Sequence, residues 1–226
     1  PVSLAGDAAF GGVSRWDLIG ADITLNGWSL TKTGSNVVYN WSRIVGPGSL
    51  VVTQGVFGFA EVAGIGTGAG LFSGATLHVR SPGRVWLWRN DTTFPLVTVD
   101  GGSVGLQDND VTLDSHQRGP YVVSNSAYFA GSGTFALWLH GEVSGPGRVV
   151  KIGGGAVVLE GTNTYAGGTE VREGTLRGTS DGLIGLITNL SVVEFTQSLT
   201  GSFAGVITST GAMQVTGSGR VIIPSA

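Results

Sequence analysis

The stretch LQDNDVTLDSHQR, residues 106–118, holds the densest set of groups able to do chemistry: Asp108, Asp110, Asp114, His116 and Arg118. Alternate residues of a β-strand face the same way, so these five could line one side together. Paired carboxylates can supply the acid and the base of glycoside cleavage, and a carboxylate cluster can hold Ca²⁺.

The rest of the chain does not extend that constellation. β-Helical enzymes that cleave pectin place acidic and basic residues on several successive coils. Neither their Asn-Thr-Asp, Asp-Asp and Gly-His-Gly spacing nor a multi-coil set of carboxylates and Arg is found here. An Asp-rich loop on a repetitive scaffold is ordinarily a solvated turn whose side chains bond their own backbone. His78 and His140 lack metal-ligand spacing. No Gly-x-Ser-x-Gly sits on a strand-to-helix turn. The Gly-x-Gly strings are not followed by a helix whose N-terminus could cradle a phosphate. The expectation is therefore a protein that is not an enzyme, with no catalytic residue, no cofactor and no metal.

The elements that position these residues follow from composition. The 226 residues allow one or two domains and a sizeable core. Glycine is extreme at 40 residues, yet it lacks the third-residue period of collagen, and 41% hydrophobic content argues against disorder. A net charge of -3 offers no footprint for nucleic acid. No apolar run reaches the ~20 residues of a membrane-spanning helix. Cysteine is absent, which excludes disulfides and thiolate metal sites. The chain opens on Pro1 rather than Met, and the expectation is a processed or excised piece.

Helical periodicity is interrupted by Gly throughout, whereas period-two alternation is common. A strand, a Gly corner and a second strand recur as ITLNGWSLTK from Ile23, LVVTQGVFGF from Leu50 and LVTVDGGSVGL from Leu96. The unit returns as VVKIGGGAVVLEG from Val149 and TEVREGTLRG from Thr169. Such a unit cannot bury its apolar face alone, so copies must stack. An all-β, right-handed parallel β-helix (a β-solenoid) of roughly ten coils fits best, as one domain over residues 1–226. A β-sandwich or an up-and-down barrel is the rival. The GPG corners at 46–48 and 145–147 and the GSG at 217–219 precede similar strands and favour stacking.

Residues 144–178, SGPGRVVKIGGGAVVLEGTNTYAGGTEVREGTLRG, resemble the autotransporter-associated β-strand repeat of bacterial passenger domains. Lys151, Gly153, Leu159, Gly161, Asn163, Thr164, Tyr165, Gly167, Gly168, Thr169, Gly174, Thr175 and Leu176 fall on its pattern in order. A partial copy spans 193–223. The resemblance implies a β-helix exported to, or released from, a bacterial surface, in which the repeat is structural and linked to secretion rather than catalysis. Gly161, Gly167, Gly168, Gly174 and Gly178 read as coil corners, Asn163 as an inward residue bonding a neighbouring coil, and Tyr165 as packing over a corner.

Two surfaces remain as candidate contacts. Trp86 and Trp88 share one face of RVWLWRN, and Trp138 points outward from TFALWLHG. Exposed together they would form an apolar patch suited to a polysaccharide or a second copy. The chain also stops on an apolar strand, Val221, Ile222 and Ile223. A β-helix end leaves unpaired backbone groups that invite another strand layer. The expected partner is self, stacked head to tail into an extracellular fibre. A carbohydrate-binding passenger or adhesin fragment is the alternative, and a polysaccharide lyase or hydrolase is the third reading.

Overall fold

The computed structural model describes residues 1–20, 22–60, 72–88, 91–107 and 113–223. Among them the regular structure is thirty short strands and no helix. Strands pair in parallel and stack into sheets of four, seven, ten, seven and two strands. The ten-stranded sheet takes one strand from each turn, beginning with Trp16–Leu18 and ending with Val206–Ser209. The chain is a parallel β-solenoid of about ten turns, as its repeated strand-and-corner pattern predicts.

Each turn visits the sheets in one order. Early turns run from the four-stranded sheet (Ile44–Val45) to the first seven-stranded sheet (Ser49–Val52) and on to the ten-stranded sheet (Val56–Phe59). From Thr92–Thr93 a second seven-stranded sheet takes the place of the four-stranded one in that order. Turn length varies at the corners. Val171 pairs with Asn189, eighteen residues on, whereas Phe57 pairs with Val85, twenty-eight residues on.

Alternation inside the strands builds the core. In Ser126–Ala130, Ala127 and Phe129 are buried while their neighbours are half-buried. Register then aligns like with like. Leu50, Leu77, Val97, Tyr121 and Val143 form one buried ladder, and Val38, Phe57, Val85, Val104 and Phe129 form another. Neighbouring rungs lie about 4.8 Å apart, close enough for full side-chain contact. Phe57, Phe59, Phe72 and Phe94 fill the wider interior edge to face, with centroids 5.1–5.9 Å apart. Burial of each such side chain contributes roughly 1.5–3 kcal/mol, which no single turn could gain alone.

The last turn breaks the pattern. Met213 pairs with Val193 and Val215 with Phe195, so both continue buried rows, yet every residue of Ala212–Thr216 is exposed. Among the described residues no further turn covers them.

Candidate binding surface

The segment with the densest pattern in the sequence is spent on joining turns. Lys151 lies in Arg148–Ile152, in register with Phe129 and Val171, and its side chain is buried. Its Nζ donates to the carbonyls of Ile152 (2.7 Å) and Gly153 (2.6 Å) at its own corner and of Glu173 (2.8 Å) one turn on. Burial pulls the ammonium down to about 8, with the Glu173 charge acting against the shift. Asn163 is also buried. Its Oδ1 accepts from Val143 N (2.8 Å) in the preceding turn, and its Nδ2 donates to Gly182 O (2.7 Å) in the following one.

Thr164 N and Ala166 N donate to the carbonyls of Val143 and Gly145, which carries the first seven-stranded sheet's side onward beyond its last strand. Thr164 Oγ1 donates to Glu142 (2.6 Å). Tyr165 is buried against Thr169, with their hydroxyls 2.7 Å apart, and Leu176 lies in the core. Two different demands explain the glycines. Gly174 has φ +62°, a turn conformation unfavourable to other residues. At Gly161 a Cβ would sit 2.3 Å from Gly141 O of the turn before.

In the acidic stretch, Asp108 and Asp110 lie outside the described residues. His116 and Arg118 point outward from Ser115–Arg118, and Arg118 pairs with Asp91 (2.9 Å). Asp114 accepts from Ala136 N (2.8 Å) and Trp138 Nε1 (3.1 Å) in the next turn. His116 Nδ1 meets His140 Nε2 at 2.9 Å, and His140 Nδ1 meets the Glu160 carboxylate. The Trp138 indole stacks on both imidazoles, at 5.4 Å and 6.2 Å. The result is a ladder of polar and aromatic side chains climbing the outer face of the second seven-stranded sheet, with each charge engaged by a neighbour. Among the described residues no group of three or more His, Asp or Glu is placed to hold a metal ion.

The three tryptophans do not form one patch. Trp86 lies outward on the ten-stranded sheet beside Tyr39 (6.4 Å), and Trp88 packs partly against the core and also beside Tyr39 (6.3 Å). Trp138 stands on the second seven-stranded sheet. The most exposed of the chain's indoles are Trp16 and Trp28 on early turns, where no distinctive spacing marked them. Val221 is half-buried, and Ile222 and Ile223 are each 43% exposed.

Residues 149–177 match the family described as Passenger-associated-transport-repeat. The chain carries a passenger-associated transport repeat. It is also 34% identical over 90 residues, 39% of this chain, to the Adhesin BmaC autotransporter of Brucella suis biovar 1 (strain 1330). The chain spans about 2% of that relative's length. No solved structure matches it. The passenger repeat thus coincides with the Lys151 corner, the Asn163 bridge and the buried Tyr165.

The passenger repeat's lysine corner has a counterpart. Lys32, also buried, donates to the carbonyls of Thr33 (2.7 Å), Gly34 (2.8 Å) and Gln54 (3.1 Å). The signal lay in the sequence as Lys-Thr-Gly beside the Lys-Ile-Gly of the passenger repeat. Without the Asn-Thr-Tyr half after it, three residues were too little to stand out.

Proposed function

We propose that this chain is a non-catalytic length of an adhesin-type passenger at a bacterial surface, a stiff β-solenoid whose flanks are free to meet other molecules. The observation that carries this reading is the passenger repeat itself. Its polar side chains, Lys151, Asn163 and Tyr165, are consumed in contacts within and between turns, so its function is cohesion. The passenger-repeat match and the likeness to an autotransporter adhesin support the location. Antibody against the chain should label intact cells of its source. Signal only after lysis would overturn the reading.

Head-to-tail stacking of copies into a fibre is the second reading. The exposed apolar side chains Met213, Val215, Ile222 and Ile223 on the last turns favour it, because an open turn offers unpaired strand edges to a further turn. Such a contact is heterologous and would propagate. Continuing polypeptide of a longer passenger would fill the same edge. Sedimentation of the 226-residue chain separates the two: growth of filaments that Ile222→Lys abolishes supports stacking, and a monomer at all concentrations overturns it.

A further inference from the structure

The outer face of the ten-stranded sheet holds an open groove of about 400 Å³. Its shape follows from register. Arg84 and Trp86 on one turn stand beside Ser103 and Gly105 on the next, and these beside Tyr128 and Ala130 on the turn after. The middle turn therefore contributes only a hydroxymethyl group and a hydrogen, and becomes a floor between two taller rows. Gly105 is fixed there, since a Cβ would lie 2.6 Å from Ala130 Cβ.

The flanking rows are two turns apart, about 9.6 Å at the usual strand spacing. That leaves room for a flat ring in van der Waals contact, about 3.5–4.0 Å, with a stacking face. Both aromatic walls are braced from behind. Trp86 leans on Tyr39 (6.4 Å), and Tyr128 lies under the Arg172 guanidinium (5.7 Å), which Glu170 holds at 2.8 Å. Walls held this way lose little freedom on binding. Arg84 is exposed at the rim and makes no ion pair among the described residues, unlike Arg118, Arg172 and Arg177 on their own turns.

From this we infer that the groove is a subsite for an acidic polysaccharide, with a uronate ring stacked on Trp86 or Tyr128 and its carboxylate on Arg84. A pyranose offers an apolar C–H face to an indole and a rim of hydroxyls to Ser103 and the backbone beside it. A carboxylate answers the Arg84 charge at the groove's rim, and a guanidinium fork fits it in two bonds. The polar glycine-and-serine floor suits a purely apolar ligand poorly. The ligand class deepens the surface placement proposed above and rests on it.

The test uses affinity electrophoresis of the 226-residue chain through polygalacturonate, alginate and hyaluronan, with xylan as a neutral polymer. At least one acidic polymer should retard the chain and xylan should not. Trp86→Ala, Tyr128→Ala and Arg84→Gln should each weaken retardation by about tenfold or more, as anchors of these types do. Ser103→Trp should fill the floor and abolish retardation, while Trp138→Ala, on another sheet, should leave it unchanged. Circular dichroism would certify that each variant folds. Absence of retardation by every acidic polymer, equal retardation by xylan, or retention in the Arg84→Gln and Ser103→Trp variants would each overturn the subsite. Cell labelling that succeeds while retardation fails removes the subsite alone. Labelling that fails removes the surface reading, whatever the polymers show.

Discussion

Lys32 and Lys151 make the same contacts at two different edges of the solenoid, Lys32 where the first seven-stranded sheet turns into the ten-stranded one and Lys151 where the ten-stranded sheet turns into the second seven-stranded one. Each buried Nζ donates to the carbonyls one and two residues ahead, and to a third carbonyl twenty-two residues on, in the next turn. Each is followed by a glycine at positive φ, Gly34 at +75° and Gly153 at +74°. An ammonium, with three hydrogens and no lone pair, is the side-chain group best matched to three converging carbonyls.

Replacing Lys151 with Met keeps the apolar stem and removes the donors. Three carbonyls then lose their shared partner, and each buried acceptor left bare costs about 1–3 kcal/mol. Urea unfolding of Lys151→Met should show a drop of several kcal/mol. A loss under about 1 kcal/mol would mean that water reaches the corner.

The same lysines give the fold a dependence on alkaline pH. Burial holds Lys151 at about 8 against an ordinary 10.5 and lowers Lys32 as well. Between those values the unfolded chain binds protons that the folded chain has released, so stability rises with pH. Burial acts oppositely on the phenols, raising Tyr165 to about 12 and Tyr121 upward from 10.0. Above about 10 the folded chain keeps protons that the unfolded chain loses, and stability falls again. Unfolding free energies at a series of pH values should therefore climb from pH 8 and turn over near pH 10. Lys151→Met should flatten the climb, leaving the share of Lys32.

Asn163→Ala should be costly out of proportion to its size. It strips a partner from Val143 N–H and from Gly182 C=O, two groups in different turns, at about 1–3 kcal/mol each. Asn163→Asp should rescue little, because it retains the acceptor and sets a carboxylate against the Gly182 carbonyl. Hydrogen exchange should show faster opening on both sides of residue 163 in either variant.

Joint replacement of Asp108, Asp110 and Asp114 by Asn should leave surface display intact. At position 114 an amide oxygen can still accept one of the two bonds, from Ala136 N or Trp138 Nε1. Turnover of pectin-like polymers, present before the replacement and lost after it, would replace the non-catalytic reading with an enzymatic one.

Much of this protein is local and therefore legible along the chain. Period-two alternation and glycine corners are properties of neighbouring residues, and stacking is the only way so many short apolar faces can leave water. These alone determine a β-solenoid, and the ordered run from Lys151 to Leu176 marks its passenger repeat. What stands beside what across turns is not local. Turns of eighteen and twenty-eight residues occur in one molecule, so the neighbour of any outward side chain depends on how long each corner is. Register alone stacked Trp138 against His116, parted it from Trp86, and left Ser103 and Gly105 as the floor between the row of Arg84 and Trp86 and the row of Tyr128 and Ala130. A side chain's type is written in the sequence, but its partner one turn away is set by the length of the intervening turn, which only the folded solenoid fixes.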